Sequence, residues 1–177
     1  MTRVRHRGEA LDTAAFRAAA GTFPSGVTVV ATRYRGRTLA KTVSAFTSLS
    51  LDPLLVSAAI GKDSPLVWAA RVSGVLTVNV LRHDQHRVSD FYAAPEHRRL
   101  GPAPAELITA RSGGPVLDDC LSWFDCRLTT VAPGGDHAIL IGRAIAAQVH
   151  GGRPLVHHEG GYHALAGALT PQETTAP

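Results

Sequence analysis

The chain predicts a mainly β protein, an antiparallel barrel with short helices at its rims. Three observations carry that expectation. VTVVATR from Val27, VLTVNVL from Val75 and HAILIGRAIAAQV from His137 are strand-length runs rich in β-branched and apolar residues. Tight-turn chemistry separates the runs at Arg35-Gly36, Asp52-Pro53, Pro133-Gly134-Gly135-Asp136 and Gly151-Gly152, and tight turns favour antiparallel neighbours. Helix-like stretches are few and short.

In chain order, Leu11 to Ala20 is Ala-rich and reads as a helix, with Asp12 or Thr13 as cap and Gly21 as stop. Val27 to Arg33 is a strand, and Arg35-Gly36 a hairpin tip. The return strand runs through KTVSAFTSLSLDP (41–53) to Asp52-Pro53. There Thr42, Ser44, Ser48 and Ser50 hold even positions and Val43, Ala45, Leu49 and Leu51 odd ones, the period of a strand. One face therefore carries small hydroxyls, interrupted by Phe46, and the other is apolar. Leu54 to Ile60, LLVSAAI, is short and largely apolar with a Gly stop, and reads as a strand buried on both faces.

Asp63 or Ser64 before Pro65 starts a helix over Leu66 to Val72, which Gly74 ends. Val75 to Leu81 is a strand, and Asp84 to Tyr92 a short helix. Ala94 to Pro115 is a loop with one irregular strand over Glu106 to Arg111. Leu121 to Val131 and His137 to Val149 are long strands, with a bulge marked by Gly142. Leu155 to Leu165 is a last short strand. Trp68 and Trp123 are expected in the core.

The 177 residues suit one domain. We expect a disordered basic tail over 1–10, a domain over 11–166 and a loose C-terminal tail over 167–177. At 45% hydrophobic and 18% charged, the composition is that of a globular protein. No apolar run approaches the ~18 residues that cross a bilayer, and MTRVRHRGEALD lacks the apolar segment of a signal peptide. A cytoplasmic protein without a membrane partner is expected. The net charge of +4 owes much to Arg3, Arg5 and Arg7. The body is near balance, which argues against a nucleic-acid surface. Cys120 and Cys126 fit neither a zinc nor a CxxC pattern and read as buried thiols on one strand face. The histidines are scattered, and no metal site is expected.

The chain lacks GxGxxG, GxxxxGK[ST] and GxSxG. Neither cysteine follows a helix start that would activate it, and adjacent Asp118 and Asp119 read as turn acids facing water. Small hydroxyls, backbone amides and a few cations remain. That set suits a flavin, whose ring needs flat walls and donors and whose phosphate needs hydroxyls, amides or a cation. Hydride transfer between stacked rings is largely positioning.

Six pieces follow one another in order: GTFPSGVTVVAT, TVSAFTSLSLDPLL, GKDSP, VNVL, GGDHAILIGRA and PLVHHEGGYHAL. Together they resemble the short-chain flavin reductases with an FMN-binding split barrel, the reductase partners of two-component flavin monooxygenases. The resemblance runs from about Phe16 to Leu165. It implies a homodimer that reduces FMN or FAD with NADH or NADPH and supplies a partner monooxygenase. It also implies that Thr42, Val43, Ser44 and Ala45 line the isoalloxazine through backbone groups, with Ser48 and Ser50 continuing the strand. Ala59, Ile60, Gly61, Lys62 and Ser64 would form a second flavin segment, Lys62 and Ser64 meeting the phosphate. Phe91 would flank the flavin. His137 would lie near the nicotinamide, and Tyr162 on the same side. Two departures stand out. Ala40-Lys41 replaces the Gly-Met or Gly-Phe of many relatives, and YAAPEHRRLG after Phe91 lacks their usual charged run.

Blander roles are open to the same residues: a wet strand edge for the hydroxyls, a surface turn for Lys62 and His137, a helix cap for Ser64. A non-catalytic flavin-binding protein, or an enzyme similar to the pyridoxamine phosphate oxidases, is the alternative function.

Overall fold

The computed structural model describes residues 11–166; the two expected tails lie outside them. Helix α1 (Thr13–Gly21) is capped by Asp12, whose carboxylate accepts from Ala15 N at 2.7 Å. The short β1 (Ser25–Gly26) leads into the hairpin β2 (Thr28–Tyr34) and β3 (Arg37–Val43). Its two-residue tip, Arg35-Gly36, has positive φ at both positions, as the twist of a tight hairpin requires. β4 (Phe46–Leu51), β5 (Leu54–Gly61), α2 (Pro65–Ser73), β6 (Val75–Val80) and α3 (His86–Ala93) follow. A 3₁₀ turn (Glu96–Arg98) precedes β7 (Leu107–Thr109) and β8 (Pro115–Leu117). The long hairpin β9 (Ser122–Gly134) and β10 (His137–Val149) comes next, then β11 (Leu155–His158) and β12 (Gly161–Ala164).

Seven antiparallel strands form one sheet in the order β3-β2-β6-β9-β10-β5-β4. Its two edge strands are consecutive in the chain, joined only by Ser44-Ala45. Ala59 N donates to Ala45 O at 2.9 Å, so this corner ties the β3 edge back to β5. The sheet thus curls until its edges meet. Here the structure corrects the continuous strand expected over 37–51: the alternation persists through Ala45, but the backbone bends at Ser44.

The barrel interior holds Val30, Val56, Ile60, Leu76, Val78 and Leu140, and α2 plugs it with Leu66, Val67 and Ala70. Val29 and Ala31, on the other face of β2, join Leu81, Val88, Tyr92 and Leu117 in a second cluster under α3 and β8. β2 is therefore buried on both faces. β5 is not: its burial alternates, which corrects the two-sided expectation. Gly142 sits at a register shift, and a Cβ there would lie 2.8 Å from Cys126 Cβ, so β9 and β10 could not approach with a larger residue.

Cys126 lies in the interior cluster and Cys120 in the second, just ahead of β9, so they do not share a strand face. Both are free and buried, and burial lifts each thiol to about 12. Trp123 packs against the second cluster. Trp68 is 56% exposed on α2, edge-on to Tyr34, because the register of the helix turns Leu66, Val67, Ala69 and Ala70 inward instead. The last segment is a hairpin, β11 and β12, rather than one strand. Asp119 does not merely face water: it accepts from Gln85 Nε2 at 2.9 Å and pairs with Arg82 at 3.3 Å. No helix among the described residues is long and apolar enough to cross a membrane.

Candidate functional site

Two corners adjoin at one end of the barrel. The first is the strand break. Ser44 and Ala45 are exposed, and neither raises a large side chain above the backbone. Ser44 O accepts from Phe46 N at 2.9 Å, and the buried Val43 gives its carbonyl to Thr28 Oγ1 at 2.7 Å. Thr42 Oγ1 donates to Ser89 O at 2.6 Å, so this hydroxyl of the expected row is spent on fastening α3 to β3. Ser48 and Ser50 lie farther along β4, opposite Val56 and Leu55, with a register shift between them.

The second corner runs from the end of β5 into α2. Because Ala59 is bonded to Ala45, Gly61 and Lys62 begin two to three residues from the strand break, about 10 Å at strand rise. Ile60 is 1% exposed; its side chain is core and only its backbone can meet a ligand. Lys62 N donates to Asp136 O at 3.0 Å, and Ser64 N to Gly61 O at 2.9 Å. Ser64 is the N-cap of α2, yet its hydroxyl makes no capping bond, and Pro65 opens the helix. The positive end of α2, a free hydroxyl and the Lys62 ammonium, which has no ion pair among the described residues, therefore converge. That is the chemistry of a phosphate seat.

A cavity of about 740 Å³ opens from this corner, lined among others by Lys41, Lys62, Ser64, His97 and Arg99. A second recess of about 370 Å³ shares Lys62 and holds Trp68, Arg71 and His137. His137 opens β10 opposite Gly61. Its Nδ1 lies 2.7 Å from Asp136 Oδ1. That hydrogen bond first, then the charges of His137 and Lys62, hold the Asp136 carboxyl below its ordinary value. A carboxylate only accepts, so Nδ1 carries the proton and Nε2 is left for a ligand.

Phe91 is half-buried in α3, with the Arg99 guanidinium 5.6 Å from its ring centre. The Tyr162 hydroxyl is 2.8 Å from Ser89 Oγ and donates to Asp90 Oδ1 at 3.0 Å. Burial is the main cause that pushes this phenol up. Thr42 and Tyr162 thus both hold the turn of α3 at Ser89.

The flavin reductase like domain family matches residues 20–166. The chain belongs to that family. It is 36% identical over 165 residues to an NADH-dependent FMN reductase, AsuE2, of Streptomyces nodosus subsp. asukaensis, covering 91% of this chain and 89% of that protein. It is also 36% identical to the reductase component of a 4-hydroxyphenylacetate 3-monooxygenase of Thermus thermophilus, over 85% of this chain and 95% of that protein. The flavin reductase PheA2 in its native state superposes with a TM-score of 0.82 at 32% identity, over 89% of this chain and all of that one. The chain spans 49% of a longer relative, a probable flavin reductase of Rhizobium meliloti. The expected split-barrel fold and the flavin reductase assignment agree with these matches.

Within this flavin reductase fold, the structure brings Gly61, Lys62, Ser64 and His137 together and sets Ser44-Ala45 beside them. It joins Thr42 to Tyr162 through α3, and it leaves Ser48 and Ser50 apart. Pro95 and His97 also wall the cavity, and no sequence pattern of their own marks them, because Ala94 to Pro115 shows no periodicity. Their one signal was the neighbouring Arg98-Arg99 pair. Among the described residues no group of three or more His, Cys, Asp or Glu could hold a metal.

Proposed function

We propose that the chain is an NAD(P)H:flavin oxidoreductase that reduces FMN or FAD by hydride transfer and passes the reduced flavin to a partner monooxygenase. One observation carries the reading: an anion seat built from Lys62, the uncapped Ser64 hydroxyl and the α2 N-terminus adjoins a corner of small exposed residues that a flat ring can lie against. A bound flavin supplies the acceptor for the nicotinamide hydride. The protein's part is placement. The backbone of Thr42 to Ala45 is the floor for the ring, and Ala59 and Gly61 lead from it to the phosphate seat. The bonds from Thr42 and Tyr162 into α3 fix Phe91 at the side. His137, oriented by Asp136, presents Nε2 on the other flank of Lys62 and orients the nicotinamide. No general acid or base is required, because hydride moves directly between stacked rings.

Relatives that are NADH-dependent reductases or monooxygenase reductase components support NADH as donor and a monooxygenase as recipient. A homodimer is supported by α1, none of whose residues is buried in the single chain, and by exposed Leu49, Leu51 and Leu54. The absence of a long apolar helix among the described residues accords with a cytoplasmic enzyme. Purified protein with NADH or NADPH and free FMN or FAD, followed at the nicotinamide absorbance, tests the proposal. Flavin-dependent oxidation is expected, slowed in His137→Ala. A yellow protein whose flavin neither nicotinamide bleaches would establish the binding-protein alternative instead.

A further inference from the structure

The cavity of about 740 Å³ extends past the phosphate seat. From Gly61–Ser64 it reaches across β3 at Leu39, Ala40 and Lys41 to the segment from Ala94 to Arg99. Three cations on separate elements line it: Lys41, Lys62 and Arg99. Arg99 is held in place by neutral partners. Its Nε donates to Ala94 O at 3.1 Å, and its Nη2 to Ala40 O at 2.8 Å and Tyr92 O at 3.3 Å. Those bonds use three of the five guanidinium N–H groups. The two on Nη1 have no partner among the described residues, and no carboxylate cancels the charge. Lys41 is half-buried and makes no side-chain hydrogen bond or ion pair among the described residues. Three acids also border the cavity, Asp63, Glu96 and Asp136, but all are exposed. Glu96 is engaged by Arg37 at 2.8 Å, and Asp136 by His137. Lys41 and Arg99 therefore stand deeper than any of the negative groups.

A single phosphate at Lys62 and Ser64 leaves this second cationic pair without a partner. We propose that the cavity holds the adenosine diphosphate half of a dinucleotide, with Lys41 and Arg99 on its second phosphate, and that Lys41 makes the site choose dinucleotide over mononucleotide. The inference rests on the flavin site proposed above. Pro95 and His97 wall the far end, where the nucleoside would lie.

Both FAD and a nicotinamide dinucleotide carry this half, and calorimetric titration separates them. FAD, FMN, NAD⁺ and nicotinamide mononucleotide are titrated into the wild type and into Lys41→Ala, Lys41→Arg and Lys62→Ala. The wild type is expected to bind FAD at least about ten-fold tighter than FMN. Lys41→Ala should lose about ten-fold on FAD and less than about two-fold on FMN, and Lys41→Arg should keep the preference. Lys62→Ala should weaken both flavins. A loss confined to NAD⁺, with its mononucleotide and both flavins unchanged, supports the proposal with the hydride donor as the source. Equal losses on mononucleotides and dinucleotides, or a wild type that binds each pair equally, overturn it. If FMN binds and is reduced while Lys41 discriminates nothing, only this inference falls. If no flavin binds at all, the proposed function falls with it.

Discussion

Leu140 on β10 is fully buried, while Ala45, hydrogen-bonded through its carbonyl to the next strand, β5, is exposed. One lies inside the sheet and the other at the break between its two edge strands, and they answer to different constraints. Around Leu140, strands from both ends of the chain press branched side chains against Leu76, Val78 and Cys126, and shape decides which residues fit. At Ala45 the backbone turns a corner, packing is thin, and smallness leaves a place for something else. The contrast locates stability in the barrel interior and ligand chemistry at its mouth, and substitutions can test whether the division holds.

The largest effect is expected inside. Leu140→Ala removes a fully buried side chain and should cost about 2–5 kcal/mol, read as a lower denaturant midpoint. Flavin affinity of the folded protein should stay within about two-fold. A binding loss of an order of magnitude would erase the boundary between the two regions.

The interior also predicts an alkaline limit. Burial lifts Cys120 and Cys126 to about 12 in the folded chain, above their unfolded values. As pH rises from the ordinary thiol range toward that value, the unfolded chain releases protons that the folded chain keeps. Stability is therefore whole below the unfolded value and falls through that window. Replacing both cysteines with alanine should flatten that fall in melts recorded across alkaline pH, after allowing for a lower baseline.

At the mouth the order reverses. Ala45→Leu places bulk on an exposed corner and should change stability by less than about 0.5 kcal/mol. It should weaken flavin binding by more than about ten-fold, since the ring's floor is raised. An unchanged dissociation constant would move the ring away from this corner.

How far the sequence revealed each region follows from the same contrast. β2, β6 and β10 were legible because burial selects runs such as VTVVATR and HAILIGRAIAAQV, whose composition alone marks them. The turns were legible from Arg35-Gly36 and Gly135-Asp136. The break at Ser44 was not, because Ser and Ala fit either face of a strand and the alternation holds through Ala45, Phe46 interrupting it only after the bend; the bend comes from closing the barrel, a long-range effect. The one-sided burial of β5 is hidden in the sequence because Ala58 and Ala59 are equally apolar, whereas only Ala58 is buried. Trp68 illustrates the converse. A large aromatic suggests core, but Leu66 and Ala70 had already claimed the inward stripe of α2. In the site, the phosphate seat stood out as GKDSP before a helix, whereas Arg99 is placed by three backbone carbonyls that no local pattern encodes.

The smallest effect marks where the site stops. Ser48 and Ser50 belong to the same alternating row as Thr42 and Ser44, and on sequence grounds all four share one wall. The strand break separates them. Phe46, the first residue of β4, packs against Phe124, and Ser48 follows along that strand, exposed. Ser48 stands across from Val56, six residues before Lys62, or about 20 Å of strand. A ring on Ser44-Ala45 with its phosphate at Lys62 runs in the other direction. Ser48→Ala combined with Ser50→Ala should therefore change flavin affinity by less than about two-fold and stability by less than about 0.5 kcal/mol, both measured on the same preparation. A loss of five-fold or more, about 1 kcal/mol, would mean that the ring extends down β4. The mouth of the barrel would then bind along the strand rather than around its corner.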